Sequence, residues 1–344
     1  MFIHKHMYAI SYALIMCTIL SLGLAISGLS VACNHSRNVE APNIKAQFVN
    51  SRVGWIIGPR LLQTKDGGRT WEVIRQNGNG TIHSQVLYIE RQFVQFINPE
   101  VGYMMSYDGI LQTHDGGRTW SGPFPLSYKN SDFRALSIFF ISTEVGWAIS
   151  ESVFRTSDGG RNWERLGQSP VKDLQPTFWF IDNEQGLITS TDGEIYLTKN
   201  GGKNWEAIWK TDKPIYNIFF IDKQNGWVVG GKGLIALTDD GGDSWKLART
   251  PTNSFLTSIF FINRQTGWAV GHNGTILLTK DGGITWNQIS VTGLGTTPLT
   301  SVSFADDRRG VAVGGNGSED LASMPSNIVL TTNDGGQTWQ IIKP

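Results

Sequence analysis

The chain has 344 residues, with 29 Lys and Arg against 29 Asp and Glu, for a formal net charge of zero. That balance excludes a nucleic-acid binder working through bulk electrostatics. Aromatic residues make up 11% of the chain, enough apolar surface to exclude intrinsic disorder. With 40 glycines, 13 tryptophans and only 17% charged residues, the composition predicts many short strands joined by tight turns.

The N-terminus reads apart from the rest. His4, Lys5 and His6 precede a mostly apolar stretch that runs to Ala32, the layout of an export signal. It ends Leu29-Ser30-Val31-Ala32-Cys33, which resembles a bacterial lipobox with Cys33 as the lipid-attachment residue. Ser30-x-Ala32 also fits ordinary signal-peptidase cleavage, and about 25 residues would span a bilayer if left uncleaved. All three layouts place the remaining chain outside the cytoplasm. Cys17 lies within the apolar stretch, so Cys33 is the single cysteine left after processing, which suits a lipid anchor better than half a disulfide. The expected organisation is a signal segment over 1–33, a polar tether over 34–43 and a folded domain over 44–344, held at the outer face of the cytoplasmic membrane.

The folded part is repetitive. The string Thr64-Lys-Asp66-Gly67-Gly68-Arg-Thr70-Trp71 recurs six more times, ending at Trp120, Trp163, Trp205, Trp245, Trp286 and Trp339. The acidic position is held by Asp66, Asp115, Asp158, Asp240, Asp281 and Asp334, with Asn200 in the fourth copy. Upstream of each box stands a glycine (Gly54, Gly102, Gly146, Gly186, Gly226, Gly267, Gly310), usually followed by Trp. Six residues before each of these glycines is a Phe: Phe48, Phe96, Phe140, Phe180, Phe220, Phe261 and Phe304.

Each unit reads as four strands. In the sixth, A carries the Phe (Ser258–Ile262), B begins at the Gly-Trp (Gly267–Gly271), C runs into the box (Thr275–Thr279) and D follows its Trp (Thr285–Ile289). Four strands at a period of about 42 residues predict an all-β, seven-bladed β-propeller with four-stranded blades. Gly-Gly suits the positive φ of a C–D hairpin, the Asp can accept amides of its own turn, and the Trp is expected to wedge between blades. A carboxylate with two glycines supplies too few oxygens for a calcium cage, so the boxes are structural and no metal or cofactor is expected.

These strings resemble the Asp-box, or bacterial neuraminidase repeat, of sialidases, xyloglucanases, sortilin-type receptors and photosystem II assembly factors. The phased pattern Phe-x₅-Gly-Trp…Thr-x-Asp-Gly-Gly-x-Thr-Trp over residues 44–343 is most similar to the photosystem II stability/assembly factor family. That resemblance implies a non-catalytic seven-bladed propeller on the lumenal side of thylakoids that assists assembly of a membrane complex around the D1 subunit. The implied partner is thus a membrane-inserted or exported protein, D1-like in a photosynthetic organism, with the lipidated N-terminus on the membrane and no nucleic acid. The family's Arg-rich face is only loosely matched here, because Asp132, Glu144, Glu151 and Asp158 interrupt Arg91, Arg118, Arg134, Arg155, Arg161 and Arg165.

The alternative is an Asp-box glycoside hydrolase of sialidase type, or a carbohydrate-binding propeller. Sialidases carry an arginine triad opened by a Phe-Arg-Ile-Pro string in the first blade; this chain offers only Phe133-Arg134-Ala-Leu136, before the third. No nucleophile–base–acid set or metal-ligand spacing appears, and the expectation is a protein without catalysis. Length variation falls at 75–92, 121–134 and 290–298, assigned to D–A connections, and at 316–327, a B–C connection. These loops share the face opposite the boxes, where a rigid scaffold would carry binding. The candidate partner-contact residues are Arg91, Lys129, Arg134 and Lys172.

Overall fold

A computed structural model describes residues 44–58, 60–76, 93–106, 108–129, 131–172, 176–315 and 327–342. Cys33, the tether, Arg91 and most of the loops over 75–92 and 316–327 lie outside the described residues. Seven four-stranded antiparallel sheets follow one another along the chain, each a meander of consecutive strands. Blade one comprises Lys45–Phe48, Gly54–Ile57, Arg60–Thr64 and Glu72–Gln76; blade seven comprises Leu299–Phe304, Gly310–Gly315, Asn327–Thr332 and Gln340–Ile342. The fold is the expected seven-bladed β-propeller. Among the described residues the helical structure is one 3-10 turn, Gly231–Gly233.

One boundary differs from expectation. Ser121–Phe124 is the outer strand of blade two rather than loop, and beyond it Ser127–Tyr128 and Ser131–Asp132 form a small hairpin. Pro123 hides that strand in the sequence, yet an outer edge strand can accommodate a residue without an amide proton.

The Phe-x₅-Gly landmark has a steric cause. Phe48 lies directly opposite Gly54 across the A–B ladder, and the other six pairs repeat this register. A Cβ on any of these glycines would fall within 2.6 Å of the facing ring, so the Phe covers a site that only glycine leaves open.

The cores lie between blades, not within them. There are seven apolar clusters, one per interface, the seventh joining Ile44, Ala46 and Ile56 to Val311, Val313 and Val329. Two aromatic families fill them. Each box Trp stands edge-on to the Phe of its own blade, with centroids 5.8–6.4 Å apart, inside the cluster shared with the preceding blade. The aromatic after each B-strand glycine reaches the other way. Trp55, Tyr103, Trp147, Trp227 and Trp268 stack face to face on the next blade's Phe at 3.5–3.7 Å.

Hydrogen bonds reinforce those stacks. The indole N–H groups of Trp55, Trp147, Trp227 and Trp268 donate to the first box glycine's carbonyl in the next blade at 2.8–3.1 Å. Blades four and seven have Leu187 and Val311 at this position, and there the residue before the glycine takes over. Gln185 donates to the Gly241 carbonyl at 2.9 Å, and Arg309 donates to the Asp66 carbonyl at 2.6 Å. Arg309 therefore clasps blade seven to blade one. No strand is shared between those blades, so closure rests on packing, on Arg309 and on the Ser301 and Ser303 hydroxyls, which accept the amides of Ala46 and Phe48.

Candidate binding faces

The box face is a repeated lock. In blade one the Thr64 hydroxyl donates to Asp66 Oδ1 at 2.8 Å and accepts the Gly68 amide at 2.8 Å. Asp66 also accepts the amides of Arg69 and Thr70 and, at 2.6 Å, the Thr70 hydroxyl. Gly67 and Gly68 sit at φ 73° and 86°, the left-handed region that this hairpin requires. Burial alone would raise the Asp66 carboxyl, but the Thr70, Thr64 and Arg69 donors outweigh it and hold the group at about 2. Asn200 keeps the essential acceptor, taking the Thr198 hydroxyl at 3.0 Å and the Asn204 amide at 2.9 Å.

The partner of this lock was not read from the sequence. The first box glycine donates its amide to a carbonyl of its own blade's A–B turn in all seven blades, at 2.7–2.9 Å. That turn is shaped by a side chain two residues after the Phe: Asn50, Asn98, Ser142, Asp182, Asp222, Asn263 or Asp306. A short polar acceptor at one phase of the repeat was legible as an Asx or Ser turn. The open cleft of about 530 Å³ between blades one and two on this face is lined by Arg52, Lys65, Glu100, Asp115 and Arg118 among others. Of its carboxylates, Asp115 is engaged by its own box, taking the Thr113 and Thr119 hydroxyls.

The opposite face carries the D–A and B–C connections, as expected. After blade two, Leu126, Tyr128 and Phe133 anchor an insertion into the apolar cluster shared by blades two and three. Phe133 stacks on Phe154 at 3.7 Å, and the Phe133 amide closes the loop onto the Leu126 carbonyl at 2.8 Å. Lys129 sits exposed at the hairpin tip with φ 51°, its Nζ 5.3 Å from the Tyr128 ring centroid. Arg134 is exposed on the same insertion, and Lys172 is exposed on the next D–A connection. Two of the four candidate residues thus share one insertion anchored in the core, a third is on the neighbouring loop, and Arg91 lies outside the described residues.

A second feature of this face went unread in the sequence. Tyr216, Phe255 and His272 form an exposed aromatic group where blades five and six meet, with centroids 6.1 and 5.6 Å apart. The B–C turns beneath are pinned to the D–A loops: Gly233 donates to Ser254, and Gly274 to Thr297. Among the described residues no group of three or more His, Cys, Asp and Glu side chains could hold a metal ion.

The phased boxes, the interlocked blades and the elaborated loop face agree with one family. The family model for the photosynthesis system II assembly factor YCF48 matches residues 81–213 and 244–343. The chain belongs to this family. Among solved structures it is similar to YCF48 bound to a D1 peptide, at 22% identity and a TM-score of 0.63, covering 86% of this chain and 94% of that one. It is also similar to YCF48 from Cyanidioschyzon merolae, at 24% identity and a TM-score of 0.56, covering 73% and 84% of the two chains. A GH74 xyloglucanase from Xanthomonas campestris shares the fold at 11% identity and a TM-score of 0.54, over 74% of this chain and 47% of the enzyme. No curated protein matches the sequence. At these identities the structural likenesses concern the fold.

Proposed function

We propose that the protein is a non-catalytic assembly scaffold that holds a segment of an exported or membrane-inserted protein on its loop face. Membership of the YCF48 family supports this reading, as does the likeness to a YCF48 that binds a D1 peptide. In a photosynthetic organism the partner would be D1-like. The observation that carries the site is the insertion after blade two, where three buried or half-buried apolar side chains anchor a loop bearing Lys129 and Arg134. Anchoring the loop in the core lowers the entropy that a partner must remove on binding.

Reversing Lys129, Arg134 and Lys172 to Glu is expected to weaken crosslinked capture of the partner from membranes, most at low salt, with an unchanged melting temperature. Normal capture by the triple reversal would remove the site from these residues. Turnover of a sialoside or β-glucan panel would overturn the scaffold reading itself.

The same reading places the protein at the outer face of the cytoplasmic membrane, or on the lumenal side of a thylakoid, through a lipid on Cys33. A Cys33→Ala form is expected to leave the membrane fraction or to accumulate as precursor. Normal processing with full membrane retention would assign retention to a protein partner instead of a lipid.

A further inference from the structure

The seven innermost strands surround the propeller's central channel. Along them, residues buried in one blade interface alternate with residues directed at the next blade, most of them half-buried and placed at the inner end of that interface, beside the channel. One position before each Phe, the wall reads Gln47, Gln95, Phe139, Trp179, Phe219, Phe260 and Ser303. The four aromatics form an arc, with successive centroids 5.0, 5.5 and 5.4 Å apart. Two residues back toward the loop face, the wall reads Lys45, Phe93, Ser137, Thr177, Asn217, Ser258 and Ser301.

Lys45 is the sole charged side chain on these strands among the described residues. Its Nζ has only the Val94 carbonyl at 3.5 Å and the Phe93 ring at 5.2 Å, and no carboxylate among the described residues pairs with it. An ammonium half withdrawn from water without a counter-ion is costly, and folding alone gives no reason to keep one there.

We propose that the central channel is a binding site for an organic monocarboxylate, with Lys45 holding the carboxylate and the aromatic arc facing the apolar body. One positive charge among hydroxyls and an amide matches a monoanion, whereas a phosphate dianion would call for a second cation. Burial pulls the Lys45 ammonium down to about 8, so it is still charged at neutral pH and would gain a counter-ion that no described residue supplies. Such a carboxylate could belong to a free acid or to a peptide, and this site is separate from the basic platform proposed above.

The test is calorimetric titration of the full chain with phenylacetate, neutral phenylacetamide and inorganic phosphate. Phenylacetate is expected to bind at pH 7, with affinity about tenfold or more lower in Lys45→Met, near normal in Lys45→Arg, and falling as pH rises through 8. It should also protect Lys45 of the wild type from acetylation, read by peptide mass spectrometry, which holds even if Lys45→Met fails to fold. An N-acetylated peptide ending in Phe, compared with its C-terminal amide, tells a peptide source from a free acid. Equal binding of phenylacetamide, equal competition by phosphate, or absence of Lys45 protection would each overturn the proposal.

Discussion

Trp268→Ala is expected to destabilise the protein by about 3–5 kcal/mol, the range for truncating a large buried aromatic. The ring is fully buried and stacks on Phe304 at 3.5 Å, so its removal opens a cavity across the interface between blades six and seven. The indole also donates to the Gly335 carbonyl at 3.1 Å, and that half-buried acceptor would lose its partner. Gln185→Ala makes the contrast. It removes only the donor to Gly241 and leaves Leu187 packed, so the loss should be about 1 kcal/mol. Urea unfolding followed by far-ultraviolet circular dichroism reads both. A Trp268→Ala loss below about 1 kcal/mol would mean that the forward stacks do not hold the ring together.

Those two substitutions also mark where sequence reading stopped. The Phe-x₅-Gly spacing was legible because both residues belong to one hairpin, and a repeat in sequence becomes a repeat in register. The box Trp was legible as an inter-blade residue because a large ring beside a surface turn needs somewhere to go. The forward stack was not legible: Trp55 meets Phe96, 41 positions further along the chain, only once two blades are set side by side. The exchange of Trp for Gln185 or Arg309 was hidden for the same reason, since a donor two residues earlier looks unrelated until both are seen reaching the next blade's box turn. Lys45 passed unnoticed because a single lysine opening a strand reads as a solvated edge. Its isolation follows from ring closure, which puts that strand on the channel. Lys129 and Arg134 were legible as loop charges, but the platform under them depends on Phe133 finding Phe154 in the next blade.

Acid unfolding should begin only below about pH 4 and follow the box carboxylates. Each of the six box Asp residues is partly desolvated, which would raise it, yet the neighbouring Thr, Ser or Asn side chain and the turn amides bring every one below the ordinary carboxylate value. Asp66 and Asp240 fall to about 2. A carboxyl depressed in the folded state contributes stability that is fully present above its unfolded value, about 3.9. That contribution drains away as pH drops toward about 2, where the folded form itself takes up the proton. Protonation turns an acceptor of several donors into a group with a donor of its own, and it does so in six blades, each below the ordinary carboxylate range. The A–B turns add to this, because Asp182, held by Lys223 and the amides of Gln185 and Glu184, also lies at about 2. Stability measured by urea midpoint should therefore be flat from pH 7 to 5 and fall steeply between 4 and 2. Asp240→Asn, which reproduces the fourth blade's own choice of Asn200, should flatten that fall while costing little at pH 7. A midpoint that stays level down to pH 2, or an Asp240→Asn form as acid-sensitive as the wild type, would show that the boxes hold their turns without help from the carboxylate charge.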